Sequence, residues 1–264
     1  MIRLPLVLAL LVAMVLDVGL PLLAARWALR RLRLNWEPFG YGGLTFAVAG
    51  VLILIPLVNW VTHAGAGWVR AQSDGGLALW ALGLAILTAF VEQAGRYLGL
   101  RLLFTGPQRT WSRVVLFGLG YGAVQAVVLA ALPSFVDLGN AVLLPQLNPY
   151  TLGLTLRETM DMLAAQREVA TMETWRPLLG SLESTVLVAL QTGLSVLVLQ
   201  VFSRARRVWL LYAGTLHTAG QASLLLGTVY LQPWLGLLGL SAAAGLAGLW
   251  ALRLRPQRRL SISA

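Results

Sequence analysis

Residues 77–104, LALWALGLAILTAFVEQAGRYLGLRLLF, decide how this chain is read. The run is long enough to cross a bilayer as one helix, because about 20 apolar residues suffice. Yet it carries an acid, an amide, a guanidinium and a phenol at Glu92, Gln93, Arg96 and Tyr97. A charged side chain in hydrocarbon costs about 2.5–3.5 kcal/mol even on lenient insertion scales, so Glu92 and Arg96 need partners or a water-filled cavity. Four residues apart, they share one face of a helix and can partner each other. Two readings follow from these residues alone: an ion pair that locks helices together, or a functional site.

The remainder of the chain is of the same kind. Of 264 residues, 58% are hydrophobic and 11% charged, and the mean hydropathy of +0.76 lies outside the range of soluble domains. The expectation is an all-α, polytopic integral membrane protein forming a single transmembrane domain over residues 1–264. Twenty basic residues, all arginine, against 10 acids give a net charge of +10. In a soluble protein that balance points to nucleic acid; here it is read as arginines anchoring cytoplasmic helix ends, with the lipid bilayer as partner and no nucleic acid. The absence of cysteine excludes disulfides, thiol nucleophiles and cysteine metal sites.

Working outward from residues 77–104, spans are expected at about 4–28, 43–61, 77–104, 114–132, 177–202, 208–228 and 234–252. The first holds Asp17 and Pro21 and is followed by Arg26, Arg30, Arg31 and Arg33. Because these charges follow the apolar run and no A-x-A site closes it, it is read as a span and not as a cleaved leader. In the fourth, Gly118 and Gly122 form a small-xxx-small pair that admits a close neighbour, and Tyr121 and Gln125 share a face. Residues 133–176 read as an extracytoplasmic polar loop. Within it Thr155 and Glu158 have capping-box spacing, and Met162, Ala165, Val169 and Met172 recur at helical intervals, so an amphipathic helix is expected to lie on the bundle or at the membrane surface. The fifth span contains Glu183, Gln191 and Gln200, and the sixth contains His217 and Gln221; His63 reads as a loop histidine.

Arginines cluster after the first, third, fifth and seventh spans, the last cluster being Arg253, Arg255, Arg258 and Arg259. That alternation places the N-terminus outside and the C-terminus in the cytoplasm. Measured inward at 1.5 Å per residue from the cytoplasmic ends, Glu92, Tyr121, Gln125, Gln191 and His217 fall roughly 10–20 Å deep. Four helices therefore offer polar groups at one level, which predicts a shared polar chamber or, more plainly, a set of separate interhelical hydrogen bonds.

Glu-x-x-Gly-Arg-Tyr at 92–97, Gly-x-Gly-x-Gly from Gly118, a polar residue before Gly-Leu-Ser-Val-Leu-Val at Gly193 and a histidine at 217 resemble the YhfC family of intramembrane metallopeptidases. That family is similar to the CAAX-prenyl (ABI) glutamate-dependent proteases, whose motifs are Glu-Glu-x-x-x-Arg, Phe-x-x-x-His and His-x-x-x-Asn. The resemblance implies a bacterial cytoplasmic membrane. It also implies that Glu92 is the first glutamate of an acidic pair, with Gln93 in place of the second, and that Arg96 and Tyr97 match. Phe117 matches the phenylalanine, Tyr121 stands at the histidine position and Gln125 at a glutamate position. Gln191 replaces a histidine, His217 is kept, and Gln221 stands for asparagine or aspartate.

Catalytic zinc needs about three nitrogen, oxygen or sulfur ligands, and this set offers one imidazole and one carboxylate among amides. The expectation is therefore a pseudoenzyme, with no metal site and no cofactor, whose chamber is lined by Gln93, Arg96, Tyr97, Tyr121, Gln125, Gln191 and Gln221. Its ligand would be a membrane-embedded peptide or a lipid-like molecule. The runner-up is an active intramembrane peptidase using Glu92 and His217, and only that reading calls for zinc. A third is a small solute or proton transporter with Asp17, Glu92, Arg96 and His217 along the path.

Overall fold

Proline and glycine set the plan of the bundle. The computed structural model describes residues 3–230 and 232–256, and within them there are helices and no strand. We number the helices α1 (Leu4–Leu32), α2 (Glu37–Val69), α3 (Asp74–Leu102), α4 (Trp111–Gln146), α5 (Leu156–Thr171), α6 (Arg176–Ser203), α7 (Val208–Tyr230) and α8 (Pro233–Arg253). Prolines sit in the first turn of α1, α6 and α8, where a missing N–H costs nothing. Arg33 ends α1 in the left-handed conformation with its N–H on the Leu29 carbonyl.

The all-α, multi-pass reading is correct, with differences in detail. Among the described residues six helices are long and apolar enough to cross a membrane: α1, α2, α3, α4, α6 and α8. α7, expected as a seventh, has 23 residues but is diluted by Thr215, His217, Thr218 and Gln221. It packs against α3, α6 and α8 inside the bundle.

The fourth helix does not stop at residue 132 where the polar loop was expected to begin, but runs through Pro133 to Gln146. Its turns widen to a π-type spacing over Val127–Ala131, immediately before that proline, and α2 widens likewise over Ala47–Leu54 before Pro56. An internal proline lacks an N–H and collides with the carbonyl four residues back; a widened turn accommodates both, so the helix continues. The second helix similarly extends well beyond residues 43–61. Within the expected loop, the amphipathic helix is present as α5. Its capping box is formed: the Thr155 N–H donates to Glu158 Oε2 at 2.9 Å and the Glu158 N–H to Thr155 Oγ1 at 3.3 Å. At its other end Arg3 donates to the carbonyls of Val169, Ala170 and Met172, and Val169 packs on Leu6, Leu10 and Ala141.

α4 is the central post. A Cβ on Gly118 would come within 2.6 Å of the Thr192 Cα, and one on Gly122 within 2.9 Å of the Val188 Cα, so these two glycines bring α6 into backbone contact. Gly120, on the opposite side, meets Phe39 of α2 in the same way. The core then fills between α4, α6 and α8 with Val114, Phe117, Leu190, Leu194, Leu197, Ala243 and Ala247. Leu4, Leu8, Val15, Leu79, Ile86, Phe90, Leu238 and Leu249 face outward, as a lipid-exposed belt requires. Several arginines tie helix ends: Arg109 donates to the carbonyls of Leu100 and Arg101 at the end of α3, and Arg113 pairs with Glu37 at 3.1 Å. Arg258 and Arg259 lie outside the described residues.

Candidate functional site

Close approach of α6 to α4 carries Gln191 to the level of Gln125, and both meet the polar face of α3. Glu92 is 1% exposed and Arg96 0%. Their four-residue spacing forms a buried pair, Arg96 Nη2 donating to Glu92 Oε2 at 2.9 Å. The same guanidinium nitrogen also donates to the Gln191 side-chain oxygen. Gln191 Nε2 in turn donates to Glu92 Oε2 at 3.1 Å and to the Gln125 oxygen, while Gln125 Nε2 reaches Glu92 Oε1 at 3.4 Å. Both carboxylate oxygens of Glu92 are thus occupied by donors. The Arg96 guanidinium lies over the Tyr121 ring, 4.1 Å from its centroid, a cation–π contact that takes the place of further hydrogen bonds to Nε and Nη1.

His217, fully buried on α7, completes the cluster. Its Nδ1 is 3.0 Å from Gln93 Nε2, and its Nε2 is 3.8 Å from Glu92 Oε2 and 3.5 Å from Gln221 Nε2. Exchanging the oxygen and nitrogen of the Gln93 amide leaves its shape unchanged. The exchange reverses the imidazole tautomer. In one orientation Gln93 Nε2–H donates to Nδ1 and the ring proton sits on Nε2; in the other the Gln93 oxygen accepts from Nδ1–H and Nε2 can accept from Gln221. In either orientation one Gln93 amide atom has no partner among the described residues.

Seven residues named from sequence, Glu92, Gln93, Arg96, Tyr121, Gln125, Gln191 and His217, therefore meet in one buried cluster, with Gln221 half-buried at its edge. Tyr97 does not join them. One residue beyond Arg96 it is turned about 100° around the helix, and it stacks on Phe202 at 5.2 Å. Two spaces flank the cluster. A cavity of about 240 Å³ is lined by Glu92, Gln125, Gln221 and Asn59 among apolar side chains. A larger apolar groove of about 740 Å³ runs between α3 and α7, lined by Ile86, Phe90, Tyr97 and Leu211, with Gln93 at its base. Asn59 escaped the sequence reading; a lone amide in an apolar span is the signal that marks it.

Fold and site together define a class: a multi-pass α-helical membrane protein whose bundle encloses a hydrogen-bonded cluster of one ion pair, one imidazole and several amides. The family model described as YhfC intramembrane metalloprotease matches residues 14–236, and the chain belongs to that family. "Uncharacterized membrane protein YhfC" of Bacillus subtilis (strain 168) is 27% identical over 214 residues, covering 78% of this chain and 77% of that protein. No solved structure matches.

The family description raises the question of whether these residues fit a metal. A catalytic zinc site takes about three such ligands plus water. Among the described residues no three His, Asp or Glu side chains come together in a way that could hold a metal ion. The cluster contributes one carboxylate, already accepting from Arg96, Gln191 and Gln125, and one imidazole. Amides and a phenol are poor zinc ligands, so the donor set does not fit the metal.

Proposed function

We propose that this YhfC-family protein is a non-catalytic member, a pseudoenzyme, whose intramembrane chamber binds a membrane-embedded peptide segment or a lipid-like molecule without cleaving it. The observation that carries the reading is how Glu92 is used. A general base needs a lone pair directed at water or substrate; Glu92 accepts from a guanidinium and two amides. Gln93, Gln125 and Gln191 retain the size and hydrogen bonding of acidic or imidazole side chains while lacking their charge and basicity. The apolar groove offers room for the body of a ligand, and the amides offer donors and acceptors for its polar group.

The test is elemental analysis of the purified protein beside cleavage of a membrane-embedded peptide. We expect no stoichiometric zinc and no cleavage. One observation favours the active reading, the 3.8 Å separation of His217 Nε2 from Glu92 Oε2. Stoichiometric metal, or cleavage abolished by Glu92→Gln, would replace our reading with that one.

We also infer seven spans, α7 included, with the N-terminus outside and the C-terminus in the cytoplasm, supported by the arginine alternation. Single cysteines at Arg30, Arg109, Arg204 and Arg258 should be shielded from an impermeant thiol reagent in intact cells. Labelling at Arg109 or Arg204 would reverse the orientation.

A further inference from the structure

Asp17, in the middle of α1, belongs to no part of the Glu92 cluster. It is 2% exposed; the Ser181 and Ser184 hydroxyls lie beside its carboxylate, but neither reaches a carboxylate oxygen with normal hydrogen-bond geometry. Its neighbour Ser181 spends its hydroxyl on the Ala13 carbonyl at 3.1 Å. One turn further, Pro21 has no N–H to offer the Asp17 carbonyl, so acceptors exceed donors at this residue. A buried carboxylate without a donor is costly to maintain.

Asp17 faces a cavity of about 260 Å³ between α1, α4 and α6, also lined by Ser134, Asp137, Glu183 and Ser184. Three carboxylates thus border one space, and among the described residues no arginine lines it. The charged groups that act on Asp137 from neighbouring elements, Glu168 and Arg176, oppose one another in sign. Leu129 lines both this cavity and the one beside Glu92.

We propose that this cavity binds an alkylammonium group, with Asp17 as its anchor. The charge of the lining selects a cation. The carboxylates do not come together as a metal site among the described residues, and the space is several times the roughly 30 Å³ of one water. An ammonium group has three N–H donors, matched here by the Asp17 oxygens and the serine hydroxyls. Leu129, Leu187 and Leu224 provide an apolar wall for the attached carbon chain. The amine can belong to a lipid headgroup or to a free soluble amine.

The experiment uses the full-length protein in detergent, comparing ethanolammonium chloride, sodium chloride and magnesium chloride at equal ionic strength by thermal unfolding. Native mass spectrometry then compares retention of phosphatidylethanolamine with that of phosphatidylglycerol. Asp17→Asn keeps the shape of the side chain and removes its charge. Ethanolammonium at about 100-fold over its Kd should raise the Tm by roughly 5–10 °C in the wild type and leave Asp17→Asn unmoved. That result assigns a soluble amine; selective retention of phosphatidylethanolamine, lost in Asp17→Asn, assigns a headgroup. Sodium or magnesium matching the amine, an equal response in Asp17→Asn, or no response in either arm would overturn the proposal. In the last case Asp17 is a protonated side chain and nothing more.

Discussion

Glu92 and Asp17 are carboxylates buried to nearly the same degree in one bundle, and they are treated in opposite ways. Glu92 has a guanidinium at 2.9 Å, two amides donating to it and an imidazole nearby. Asp17 has no charged partner among the described residues, and the Ser181 and Ser184 hydroxyls beside it make no hydrogen bond of normal geometry to either oxygen. The difference begins in the local sequence: Glu92 carries its own cation one helical turn away, whereas the residue at that spacing from Asp17 is Pro21, which has no charge to offer its carboxylate. Burial alone thus does not define a site. A saturated carboxylate stabilises the pair it belongs to and has little capacity left for substrate, while an unsaturated one remains available to a ligand.

The largest expected effect would erase the saturated state. Replacing Gln93→Glu, Tyr121→His, Gln125→Glu and Gln191→His together should create a zinc site, whereas the wild type is expected to hold no stoichiometric zinc. Structural zinc affinities of about 10–16 kcal/mol make the contrast plain by elemental analysis. Zinc in neither protein would mean that these positions do not correspond to the family's ligands.

Breaking the pair itself comes next. Glu92→Gln or Arg96→Gln leaves one buried charge uncompensated and should cost about 3–5 kcal/mol, more than the double replacement by leucine. Thermal unfolding of the three variants decides this, and singles as stable as the wild type would mean that the two groups are hydrated separately. Asp17→Asn should behave in the opposite sense. With no amine present it should not lower stability, and relief of the unpartnered charge should add about 1–3 kcal/mol. A clear loss of stability would place an unseen donor beside Asp17 and remove the contrast between the two regions.

The smallest effect lies in α5, which packs against the start of α1 and the end of α4. Thr155→Ala should remove the cap and cost about 1 kcal/mol. Hydrogen bonds from the backbone and hydroxyl of Thr155 hold the Glu158 carboxyl below its ordinary 4.5. This contribution is therefore present above that value and is lost as pH falls through the depressed one. Amide protection factors in the first turn of α5, taken relative to the intrinsic exchange rate at each pH, should fall on acidification, and protection unchanged by Thr155→Ala would show that packing on Leu6 and Leu10, not the cap, holds the helix.

The amino-acid sequence by itself determined the features that depend on spacing along one helix. Apolar length made residues 77–104 a span, the four-residue interval paired Glu92 with Arg96, and Thr155 with Glu158 marked the start of α5. Convergence of polar residues from four helices was also legible, because depth follows from counting turns. What needed the tertiary structure was direction around each helix and distance between helices. Packing of α6 onto Gly118 and Gly122 brings Gln191 against Glu92 and sets Phe202 on Tyr97, while packing of α7 on α3 gives His217 its place beside Gln93. The continuation of α4 through Pro133 depended on widened turns that no local residue preference announces. The isolation of Asp17 was equally invisible, since a missing partner is a property of every neighbouring helix at once.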